Sequence, residues 1–156
     1  MAVQVQLTNN TGATATGVEW GVGFDPDQGV PAGVGFGTTN VINAHGIGAS
    51  VTATSLDGWS VTLANTTSAS AHAIAAYVDS STCCSPVDPN FVLSNPLQAL
   101  GSQGFADSSI NLAYDLGDIA NHNSVTFGYE YIMAVPEPET YAMLLAGLGL
   151  IGFSAR

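Results

Sequence analysis

Apolar and polar residues take turns along most of this chain, and a period of two is the signature of a half-buried β-strand. Val3, Val5 and Leu7 alternate with Gln4, Gln6 and Thr8. Asn9-Asn10-Thr11-Gly12 then breaks the pattern with residues that favour turns. Val18, Trp20, Val22 and Phe24 form a second alternating set. Val51 to Ser55 and Trp59 to Ala64 are two short runs joined at Asp57-Gly58, which predicts a hairpin. Ala73 to Asp79 reads as a weaker strand, because its alanines would also suit a helix. Ile110, Leu112 and Tyr114 alternate next; Gly117-Asp118 reads as a short connection to a strand over Ser124 to Met133. There Val125, Phe127, Tyr129, Tyr131 and Met133 share one face, and Ile132 falls on the other. Short strands separated by polar turns predict an all-β fold, an antiparallel β-sandwich of about seven or more strands. Ser80 to Gly104 has no period and contains Pro86, Pro89 and Pro96, so it reads as a long loop with at most a helical turn.

Charge narrows the functions open to such a fold. The 156 residues include 12 Asp and Glu against one basic side chain, Arg156, for a formal net charge of -11. Binding nucleic acid requires cations to neutralise phosphates, and the chain has almost none to supply. Arg or Lys clamps on phosphate or carboxylate substrates are excluded on the same ground, as is Schiff-base chemistry. The fold must rest on apolar burial and hydrogen bonds. Hydrophobic residues make up 46% of the chain and charged residues 8%, the reverse of a disordered acidic segment.

Candidate chemistry is sparse. Asp25-Pro26-Asp27-Gln28 sets two carboxylates two residues apart in a loop, a start for Ca²⁺ coordination, but no EF-hand pattern follows. The ordinary alternative is an acidic turn whose Asp side chains bond backbone amides. Cys83 and Cys84 are the only cysteines. Adjacent residues can form a vicinal disulfide, which their short Cα separation would strain and leave reducible. A redox switch, soft-metal binding or an intermolecular crosslink are the functional alternatives to an inert pair. His45, His72 and His122 are scattered through turns, and no nucleophile elbow is present, so we expect no enzyme and no required cofactor, with calcium as the one option. Trp20, Trp59, Tyr77, Tyr114, Tyr129 and Tyr131 would suit a sugar-stacking platform, but the alternation assigns several of them to a core.

At residue 135 the chain changes character. Pro136-Glu137-Pro138-Glu139 is a stiff, extended break, and Thr140 is a suitable helix N-cap. Tyr141 to Phe153 is an uncharged run rich in Leu, Ala and Gly, predicting a short hydrophobic helix; a full membrane span takes roughly 20 residues. We therefore divide the chain into a body over 1–134 and a tail over 135–156.

Val135-Pro136-Glu137-Pro138, the hydrophobic run and Arg156 resemble, in order and position, the PEP-CTERM sorting signal of exported bacterial proteins. That family ends in a basic cluster, here reduced to Arg156. The resemblance implies a route: recognition by exosortase, a membrane cysteine protease, with transient anchoring in the inner membrane and delivery to the Gram-negative cell surface or extracellular matrix. Matrix exopolysaccharide or further copies of the chain are the partners it suggests. Arg156 would mark the cytoplasmic end of the membrane segment. Export also calls for an N-terminal signal peptide. The chain starts Met1-Ala2-Val3 and enters a strand directly, so a longer precursor is expected.

Overall fold

A computed structural model describes residues 1–67 and 71–136. Among these residues nine strands form two antiparallel sheets. The strands are β1 (Ala2–Thr8), β2 (Ala15–Phe24), β3 (Thr38–Ala44), β4 (Ser50–Ser55), β5 (Ser60–Asn65), β6 (Ala73–Asp79), β7 (Gly101–Ala106), β8 (Ser109–Ile119) and β9 (Ser124–Ala134). One six-residue helix, α1 (Pro89–Ser94), interrupts them. The larger sheet runs β1-β9-β5-β4-β3-β7 and the smaller runs β2-β8-β6.

The alternating apolar residues of both sheets point between them. Ile42, Val51, Ala53, Val61, Leu63 and Phe127 from the larger sheet meet Ile74, Ala76, Val78, Ile110, Leu112, Tyr114 and Leu116 from the smaller. Trp20, Phe24, Tyr129 and Tyr131 close the margins of this core. As the alternation predicts, Ile132 faces outward, at 46% exposure. The same parity puts hydroxyls on the outer face of the large sheet, where Thr52 and Thr62 bond across paired strands at 2.7 Å.

Two expectations change. β7 begins inside the segment that reads as loop, and it pairs with β3. Its sequence, Gly-Ser-Gln-Gly-Phe-Ala, has no apolar period because an edge strand with two positive-φ glycines buries little. Gly117-Asp118 is not a connection: β8 continues through it to Ile119, with Gly117 at φ 66° beside the irregular pairing with β2. β8 and β9 belong to opposite sheets. The expected hairpin at Asp57-Gly58 is the β4–β5 pair, and Gly58 takes the positive φ of 86°. The predicted C-terminal helix falls outside the described residues.

With one basic side chain in the sequence, the fold uses amide side chains as structural clamps. Buried Asn9 donates to the carbonyls of Ala13 (2.7 Å) and Ile119 (2.6 Å), and accepts from the Thr11 amide (3.0 Å). The free edge of β6 is sealed in the same way. The Gln98 amide accepts from the Val78 N–H (2.8 Å) and donates to the Val78 carbonyl (2.9 Å), so it stands in for a neighbouring strand. His45, just beyond β3, accepts the Ala76 N–H at Nδ1 (3.2 Å) and donates from Nε2 to the Gln98 carbonyl (2.9 Å). The predicted turn histidine thus joins the two sheets at one margin.

Candidate functional site

The outer face of the smaller sheet carries the chain's unusual chemistry. α1 lies there, with Val92 packed on Ala75 and Ala113. The close approach depends on Gly21 of β2, where a Cβ would fall 3.1 Å from Pro89 Cδ, while Gly23 leaves the space that the Asn111 side chain fills. Asn111, 2% exposed, accepts from the Val87 amide (3.0 Å) and donates to Ser109 Oγ (3.0 Å). The Ser109 amide donates to the Thr82 carbonyl (3.2 Å). These two anchors bracket residues 83–86 and hold them over one end of the sheet.

β2 delivers Asp25 to that same end. Phe24 pairs with Ile110, so the residues beyond Phe24 run alongside those just before β8. Asp25, Asp27 and Asp107 meet there, each with a carboxylate oxygen within 4.8 Å of the others. One oxygen of Asp25 and one of Asp27 are buried and without a hydrogen-bond partner. The Gln28 amide ties this loop to the β4–β5 hairpin through the carbonyls of Ala53 (3.0 Å) and Trp59 (3.2 Å). Burial, and then repulsion by Asp27 and Asp107, push the Asp25 carboxyl up from 3.8 to about 6.

This has a consequence for stability. The folded state binds the Asp25 proton more tightly than the unfolded chain, so its contribution is present below pH 3.8 and lost as pH rises through about 6. The metal-free protein is expected to lose stability across that window, and Asp25→Asn to flatten the dependence. Thermal melts at a series of pH values check it; an unchanged slope in the variant would refute the assignment.

Cys83 and Cys84 form a disulfide with each other. Both sulfurs lie within 4.8 Å of an Asp25 carboxylate oxygen. Asp25 therefore belongs to two clusters, one of oxygens and one with sulfur. Asp107 could not be found from sequence: only the β2–β8 pairing brings it to the Asp-Pro-Asp loop.

The remaining candidates are spread over the fold. His72 and His122 are exposed, and among the described residues no cluster of metal-ligating groups includes a histidine. Trp20 packs edge-on and Tyr114 tilted against Phe127, with ring centroids 5.7 and 5.0 Å away, and Tyr129 meets Tyr131 at 5.8 Å. These rings form core rather than an exposed platform. A hollow of about 610 Å³, lined mainly by Met1, Phe24, Val61, Tyr131 and Met133, opens beside Asp27.

Of the tail, Val135 and Pro136 are described; Val135 is exposed and Pro136 lies against Gly58. Glu137, Pro138 and Arg156 lie outside the described residues, as does the hydrophobic run. Among the described residues no helix is long and apolar enough to cross a membrane. No curated protein and no solved structure matches the chain. Residues 134–156 match the family model of the PEP-CTERM protein-sorting motif. The chain thus carries a PEP-CTERM protein-sorting motif, the mark of an exported protein that exosortase processes.

Proposed function

We propose that the chain is a non-enzymatic protein of the cell surface or extracellular matrix, a β-sandwich exported and then processed through its sorting tail. The match over residues 134–156 carries this reading. The inner membrane is the transient anchor, and matrix exopolysaccharide or other copies of the chain are the surroundings in which the body works. A body without a basic side chain supports this placement: neutral glycans and cations are the partners that such a surface does not repel. The test is mass spectrometry of the protein from a Gram-negative host with and without exosortase. The mature form is expected to lose the hydrophobic run and Arg156 only where the enzyme is present. Secreted protein with its tail intact would overturn the proposal.

A second reading, a calcium-binding module, is favoured by one observation: three carboxylates converge with two of their oxygens buried and unpartnered. Three carboxylates, with water completing the shell, suit a hard cation. A divalent charge would also relieve the repulsion that raises Asp25. At neutral pH, Ca²⁺ is expected to raise the melting temperature of the parent protein and leave Asp25→Asn and Asp107→Asn unaffected. Equal shifts in all three would mean that calcium acts elsewhere.

A further inference from the structure

Asp25 sits where two different ligand sets overlap. In the oxidised chain the sulfurs are bonded to each other and offer little to a metal. We propose that reduction of the Cys83–Cys84 bond creates a site for a thiophilic divalent cation of the zinc class, held by the two sulfurs and the Asp25 carboxylate.

The geometry supplies the parts. Cys83 Sγ, Cys84 Sγ and an Asp25 oxygen already lie within 4.8 Å of one another. A tetrahedral cation with metal–sulfur bonds of about 2.3 Å and metal–oxygen bonds of about 2.1 Å fits this triangle once the reduced sulfurs have moved to about 3.8 Å apart, leaving a fourth position to water. Residues 80–88 contain neither helix nor strand, so the two sulfurs can part without breaking a ladder. The anchors on Ser109 and Asn111 keep the segment over Asp25 while they do. Cys84 is exposed and Cys83 half-buried, so a small reductant reaches the bond.

The chemistry balances with a dithiol as reductant. Its thiolate attacks one sulfur and the Cys83–Cys84 bond breaks. Its second thiol closes the reductant's own disulfide, releasing Cys83 and Cys84 as thiols with two electrons and two protons gained. The divalent cation then displaces both protons and binds the thiolates. Soft sulfur selects zinc-class ions over calcium, which prefers oxygen. The nearby Asp27 and Asp107 carboxylates supply a negative field that disfavours bare thiolates but favours their cation complex. Because Asp25 serves both sets, reduction withdraws it from Asp27 and Asp107. The redox state of one bond then decides which class of cation this corner holds.

The experiment uses the full chain, reduced with a dithiol, desalted without oxygen and titrated with Cd²⁺ as the probe. A thiolate-to-cadmium charge-transfer band saturating at one ion per chain is expected, with no band in the oxidised protein or in Cys83→Ser/Cys84→Ser. Asp25→Asn should weaken Cd²⁺ binding about tenfold or more. Asp107→Asn should weaken it far less than Asp25→Asn does, while abolishing the calcium response of the oxidised protein, which separates this site from the calcium reading. Saturation at one ion per two chains, or the same Cd²⁺ affinity in Asp25→Asn, would overturn the proposal.

Discussion

Tyr114→Ala is expected to destabilise the body by about 4 kcal/mol, a typical cost for emptying a large aromatic site. Tyr114 is fully buried at the middle of β8, between Trp20 on β2 and Ile74 on β6. Its ring packs on Phe127 of the opposite sheet at 5.0 Å, so it bridges the sandwich. Its hydroxyl donates to the Gly128 carbonyl (3.3 Å), which also accepts from the Thr66 amide (3.0 Å). Tyr114→Phe removes only that bond and should cost about 1 kcal/mol. Urea unfolding should show a lower midpoint with an unchanged slope for both variants. A loss under about 1.5 kcal/mol for Tyr114→Ala would mean that the two sheets do not depend on this contact.

Gly23→Val should cost about 3 kcal/mol, combining overpacking with a broken polar clamp. A side chain at Gly23 occupies the space of the Asn111 amide, which must swing away and release the Val87 amide and Ser109 Oγ. The segment holding Cys83 and Cys84 loses an anchor, so limited proteolysis between residues 80 and 88 should accelerate markedly. Asn111→Ala in the same chain should add less than its cost alone, because the two changes break one interaction. Full additivity would show that Gly23 acts elsewhere.

Much of the fold is legible in the residues. Val3 to Thr8 and Ser124 to Met133 alternate because each strand has one face toward the core and one toward water, while Val18 to Phe24 alternates although its outer face is partly covered. β7 was not legible, because an edge strand held by pairing alone needs no apolar face. The third member of the carboxylate cluster, Asp107, leaves no local signal either. Asn111 reads as a polar position on an alternating strand, and only the loop packed over it makes it a buried clamp. His45 likewise reads as a turn residue until the edge of β6 is brought against it.

By itself, the sequence determined the all-β class, the scarcity of basic side chains and the sorting motif over its last residues. Each of these is a local or additive property: a period of two, a sum of charges, a contiguous pattern. Only the tertiary structure decided which strands share a sheet, that Asp25, Asp27 and Asp107 converge, and that the disulfide stands beside Asp25. Those are contacts between residues far apart in the chain. They depend on how strands pair and cross, which hydrophobic alternation leaves open because every strand satisfies it equally well.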